Sequence, residues 1–86
     1  MPEISRFLGI IITMYYEDHP PPHFHVRYNS ERAIISIETL SVLEGKLSSR
    51  IEKLVISWAK IHKSELLSNW HLASKNLSLE KIEPLA

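Results

Sequence analysis

The chain has no cysteine and only two glycines in 86 residues, and its charges cancel at ten basic against ten acidic. Without cysteine there are no disulfides, no thiolate-bound zinc and no thiol nucleophile. The balanced charge argues against a domain that coats nucleic acid by bulk electrostatics, so any contact with phosphates has to come from a local patch. Long apolar runs are missing as well. The longest, IIITMYY, falls far short of the ~20 residues a membrane helix needs, and no secretory signal pattern is present. The reading is of a cytoplasmic protein that does not enter a membrane.

What remains is an ordinary globular composition, 44% hydrophobic and 23% charged, in one domain spanning residues 1–86. A chain of this size buries roughly 60 to 65% of its unfolded surface, so the core is small and association with a partner or a second copy is expected. The chain divides into a β-rich half (1–46), a helical part (47–76) and a tail (77–86). Gly9 to Tyr16, GIIITMYY, is β-branched and aromatic and reads as a strand. His23 to Tyr28 alternates polar and apolar as a half-buried strand, and Asn29 and Ser30 supply turn chemistry before a third strand, Ala33 to Ile37. Strands two and three are expected to form an antiparallel hairpin. Glu38 to Lys46 has no clean period and reads as a connection with room for a short extended or single-turn piece.

Ser49 followed by Glu52 has the form of a capping box, and Ile51, Leu54, Val55, Trp58 and Ala59 behind it follow helical spacing. A second helical stretch runs through Leu66, Leu67, Trp70 and Ala73 to near Asn76, so one long helix and two helices with a bend near His62 to Ser64 both fit. The tail reads as an edge strand or an irregular arm, since Pro84 bars a central strand. The expected fold is α+β: a small, mostly antiparallel sheet of three to four strands, packed on one face by one long or two consecutive amphipathic helices. The two tryptophans lie on apolar helix stripes and read as core.

Residues 18 to 28, DHPPPHFHVRY, concentrate the chemistry, with three of the five histidines, an aspartate and an arginine within eleven positions. Pro20, Pro21 and Pro22 form a stiff connector that cannot be helix. Beyond it, alternation places His23, His25 and Arg27 on one face and Phe24, Val26 and Tyr28 on the other, leaving the first set exposed if the second faces the core. Two histidines at i and i+2 can reach one ion, with His19, Asp18 or Glu17 as a further ligand; such a set suits Zn²⁺, Mn²⁺, Ni²⁺ or Co²⁺, and its carboxylates admit Mg²⁺. Without a metal, histidine is the side chain whose unperturbed pKa, ~6.5, allows one ring to take a proton and another to give one at neutral pH, while Arg27 steadies a phosphoryl oxygen; this suits RNA with its internal 2′-hydroxyl. DNA lacks that nucleophile and needs an outside water, most often activated by a cation. The same residues also read as solvent-facing strand side chains, with Arg27 paired to Glu38 or Glu31.

From Pro2 through Tyr28, in ISIETLSVLEGKL and in the closing KIEPL, the chain resembles the small bacterial family catalogued as domain of unknown function 4160. The DHPPPHFH string is the specific part of that resemblance. What it implies is the toxin of a toxin–antitoxin pair, neutralised by a partner protein with a helix-turn-helix domain and acting on nucleic acid. The matching candidate residues are Arg6, Asp18, His19, His23, His25 and Glu38, with Arg27 a weaker one. The resulting expectation is a nuclease, DNA somewhat ahead of RNA. His19, His23 and His25 act with Arg6 and Arg27 in catalysis; Arg6, Arg27, Lys46 and Arg50 bind nucleic acid; and Asp18, His19, His23, His25 and Glu38 are the candidate metal ligands. The alternative is a protein-binding or metal-binding module that does no chemistry.

Overall fold

The computed structural model describes residues 2–85; Met1 and Ala86, the ends of the expected domain, lie outside the described residues. Five strands come first: β1 (Glu3–Phe7), β2 (Ile10–Thr13), β3 (His23–Tyr28), β4 (Glu31–Ser36) and β5 (Val42–Lys46). Two helices follow, α1 (Ser49–Ile61) and α2 (Lys63–Ser74). The strands pair in chain order, each antiparallel to the next, so the sheet is a simple meander. The α+β architecture is the expected one, with five strands in place of three to four.

The two added strands are the irregular ones. In β1 the pairing with β2 shifts between Glu3 and Ser5, which turns both Ile4 and Ser5 inward and breaks the alternation that marks a strand. In β5 the register jumps from Ile34↔Glu44 to Ile35↔Val42, a bulge at Leu43, and Gly45 takes a left-handed backbone at φ +81. Those two features erase the period-2 pattern, so a segment whose sequence reads as a connection with at most a short extended piece holds a five-residue strand. The β1–β2 hairpin closes through Leu8 and Gly9, both at positive φ, and Asn29 supplies the left-handed residue of the β3–β4 turn.

The inner face of the sheet carries Ile4, Phe7, Ile10, Ile12, Phe24, Val26, Ala33 and Ile35, all buried. Helix α1 covers it with Ile51, Val55, Trp58 and Ala59. The Trp58 ring lies 5.4 Å from Phe7 and 6.1 Å from Phe24. The helix starts one residue earlier than the capping box predicts: Ser48 is the N-cap and makes no side-chain cap bond, while its amide donates to Glu31 Oε1 at 2.8 Å. Between the helices the amide of His62 donates to the carbonyls of Trp58 and Ala59, and the His62 carbonyl then accepts from Leu66. The chain thus breaks into two consecutive helices with neither glycine nor proline at the joint.

Helix α2 ends in a Schellman motif: Asn76 is left-handed, its amide donates to Ala73, and the amide of Leu77 donates to Leu72. The tail is an irregular arm. Ile82 donates its amide to the Ile4 carbonyl and accepts from Ser5 Oγ, and the Glu83 carbonyl accepts from Trp58 Nε1. Buried Asn69 binds both the amide and the carbonyl of Glu80, at 2.9 and 2.8 Å. No helix among the described residues is long and apolar enough to cross a membrane.

Candidate metal centre and the open sheet face

Strand β2 ends at Thr13, and the chain turns through Tyr15 to Pro22 before β3 begins at His23. The connector is not a straight polyproline segment, because the peptide bond between Pro20 and Pro21 is cis. Glu17 anchors the outer end of the turn: its amide donates to the Ala73 carbonyl of α2, and its carboxylate accepts from Asn76 Nδ2. Asp18 is thereby folded back over the start of β3.

One carboxylate oxygen, Asp18 Oδ2, lies 2.9 Å from His23 Nε2 and 3.2 Å from His25 Nε2. One ligand atom from each of the three residues lies within 4.8 Å of the other two. The second oxygen, Oδ1, accepts from the His19 backbone amide at 2.8 Å. Burial works against the charged Asp18 and pushes its carboxyl up, but the bonds from the His19 amide, His25 and His23 together outweigh it. The group is held below its ordinary value of 3.8 and is a carboxylate at neutral pH.

The His23 ring fixes the chemistry of the cluster. Its Nδ1 lies 2.7 Å from the carbonyl oxygen of Pro21, an atom that only accepts, so Nδ1 carries a proton and donates it. In neutral imidazole that leaves a lone pair on Nε2, aimed at a carboxylate oxygen 2.9 Å away. Two acceptors at that distance repel unless positive charge lies between them. A second ring proton supplies it, and so does a cation. An imidazole anchored through Nδ1–H to a backbone carbonyl, with Nε2 free, is the usual arrangement of a metal-binding histidine. The N₂O donor set fits a divalent cation, and three protein ligands leave coordination positions open.

The site differs from the expected open row. His23 is on the same side of β3 as His25, as alternation requires, but Trp70 of α2 packs over it with ring centroids 5.1 Å apart, and only 7% of His23 is exposed. The side chains of His25 and Asp18 remain about one-quarter exposed, so solvent reaches the cluster from their side. Tyr15 meets the His25 ring edge-on at 4.5 Å. His19 contributes only its backbone amide; its side chain is exposed and stands outside the cluster. Glu38 is also outside it, exposed beyond β4, with its carbonyl bonded to Lys63.

The basic candidates separate into two groups. Arg50, in the first turn of α1, is off the sheet. Arg6, Arg27 and Lys46 fall in one line across the outer face, because the pairings run Arg6↔Ile11↔Arg27↔Arg32↔Lys46. Arg6 is engaged by Glu3, Nη2 to Oε1 at 2.8 Å, two strands away from β3, and so does not approach the histidines. Among the described residues Arg27 makes no ion pair with Glu31 or Glu38. The next line reads Glu3, Thr13, His25, Ile34, Glu44. Between these lines lies an open groove of about 380 Å³, and His25 belongs both to it and to the Asp18 cluster. Arg32 was not among the sequence candidates, although the two-residue turn at Asn29 and Ser30 puts it opposite Arg27. Trp70, read as core, is the lid on His23.

Residues 9–71 match the family described as Domain of unknown function (DUF4160). The chain belongs to that family. No curated protein and no solved structure matches it. For this DUF4160 protein the site itself therefore has to carry any functional reading.

Proposed function

We propose that this DUF4160 protein cleaves phosphodiester bonds in nucleic acid, DNA ahead of RNA, at a divalent-cation centre formed by Asp18, His23 and His25. In this proposal it is the toxin of a bacterial toxin–antitoxin pair, held in check by a helix-turn-helix partner; that biological setting follows the family resemblance alone. The observation that supports the chemistry is the Nδ1–H bond of His23 to the Pro21 carbonyl, which aims Nε2 at an ionised carboxylate oxygen, a contact that calls for a proton or a cation between the two atoms. A bound cation of the Zn²⁺, Mn²⁺ or Mg²⁺ type would supply Lewis-acid stabilisation of a phosphoryl oxygen and ease deprotonation of the attacking water, which DNA needs because it lacks an internal nucleophile.

The chain's own groups do the rest. Buried His23, clamped by Pro21 and Trp70, fixes the position of the centre. His25, partly open and braced by Tyr15, forms the wall that a substrate phosphate meets. Two residues on and on the same face, Arg27 places a guanidinium roughly 7 Å along the strand, suited to bind a phosphate oxygen. Arg6 and His19 have no part in the step.

The test uses purified protein incubated with circular single-stranded DNA, plasmid and RNA, each with Mn²⁺, with Zn²⁺ and with EDTA. The expected result is cleavage that EDTA abolishes and that Asp18→Asn and His23→Ala variants of native fold lack. Intact DNA and RNA under all conditions would refute the reading. Tight Zn²⁺ binding without cleavage would move the assignment to a metal-binding module, and toxicity undiminished in folded His23→Ala would move it to a protein-binding one.

A further inference from the structure

We infer that the outer face of the sheet is a track for single-stranded DNA, laid across β3, β4 and β5. The inference rests on the nucleic-acid reading above and names the form of its substrate. Arg27 is paired directly with Arg32, and Arg32 directly with Lys46. Among the described residues no side-chain hydrogen bond or ion pair engages any of the three. Like charges facing each other across a strand pair destabilise it. With strands about 4.8 Å apart, the three cations extend over roughly 10 Å, and a run of phosphates removes their repulsion.

The apolar side of the groove distinguishes a single strand from a duplex. Its floor includes Ile34, beside the cation line, and Ile11, which sits in that line next to Arg27; both are half-buried. A duplex presents phosphates to such a surface and keeps its base faces stacked inside, so the isoleucines would cover nothing. A single strand offers both features: backbone for the arginines and base faces for an apolar platform. Charge gives the strand its orientation. Glu44 stands in the second line, beside Ile34, where it repels phosphate but accepts hydrogen bonds from base amino groups. The backbone therefore follows Arg27, Arg32 and Lys46 while the bases lean toward Ile34 and Glu44. Where the strand crosses β3 it passes His25, and so reaches the Asp18 cluster. Arg6 continues the line on β1, but Glu3 already neutralises it.

Fluorescence anisotropy with a 5′-labelled mixed-sequence oligonucleotide tests the track, with EDTA present so that no strand is cut. The DNA single strand is expected to bind at least ten-fold tighter than the same sequence as a duplex, and no weaker than the RNA of that sequence. Arg27→Ala/Arg32→Ala should lower affinity at least ten-fold and reduce the slope of log affinity against log salt by about 1.4, at about 0.7 per phosphate contact. Ile34→Ser should weaken binding with the slope unchanged. Lys60→Ala on α1, away from the sheet face, should have no effect. Near-UV circular dichroism and melting checks the fold of each variant; the arginine variants remove a repulsion and are expected to melt no lower than wild type. Duplex binding as tight as single-strand binding, tighter binding of RNA, or undiminished binding by the double variant would overturn the track. Arginine-dependent strand binding in a protein without nuclease activity would support the track and sink only the cleavage reading.

Discussion

Replacing Gly45 by alanine tests the irregular β5 strand, and the size of the effect follows from two distances. A Cβ at Gly45 would stand 2.2 Å from the Arg32 carbonyl oxygen and 2.9 Å from Ala33 Cα, both backbone atoms of β4 that no rotamer change can move. The left-handed backbone at φ +81 adds about 1 kcal/mol for any residue with a Cβ. Forcing strands apart in a packed sheet adds about 1–3 kcal/mol, which brings the expected loss to about 2–4 kcal/mol. In a domain of this size that lowers Tm by about 10–25 °C. Gly9 provides the control, because its φ is also about +80 but an added Cβ would meet only the Tyr28 ring at 3.4 Å. Gly9→Ala should therefore cost only the backbone share, about 1 kcal/mol. Urea unfolding of the two variants side by side measures the difference directly. Equal losses for both would refute the close approach of β5 to β4, and with it the placement of Lys46 and Glu44 beside the groove.

The remaining predictions concern the tail and the carboxylate. Asn69→Ala removes both bonds to Glu80, which at about 1 kcal/mol each predicts a loss of about 2 kcal/mol in urea unfolding and faster amide exchange at Ile82; unchanged exchange would show that the tail is held without Asn69. Because the Asp18 carboxyl is lowered in the folded state, the stability it contributes is complete above its ordinary value of 3.8 and is lost as pH falls through the lower folded value. In metal-free protein, Asp18→Asn should thus flatten the decline of Tm at acid pH, and a decline as steep as that of wild type would contradict the bonds drawn to Asp18.

Much of this arrangement could be read from the residues, for identifiable reasons. Strand β3 has the boundaries the sequence predicts, because three prolines end what precedes it and HFHVRY alternates without a fault. Of the expected stripe, Ile51, Val55, Trp58 and Ala59 are buried, and Leu54 is half-buried at its margin. The strands that alternation does not mark, β1 and β5, are those whose bulges break it. The partition of the histidines was legible only in part. Parity puts His23 and His25 on one side of the strand, but the burial of His23 depends on Trp70, 47 positions further on. The convergence of Asp18 on both rings depends on a turn held from outside by Ala73 and Asn76, and no spacing rule encodes that. Arg32 was within reach, since a two-residue turn fixes the register of the β3–β4 hairpin.

The proposed chemistry requires Asp18, His23 and His25 to share one cation. Isothermal titration of metal-stripped protein with Zn²⁺ and with Mn²⁺ at neutral pH tests it directly, beside His23→Ala, Asp18→Asn and, as a control, His19→Ala. One site per chain is expected for wild type and His19→Ala, and its loss in the other two. Metal uptake that is absent from wild type, or unchanged when His23 is removed, would contradict the shared site.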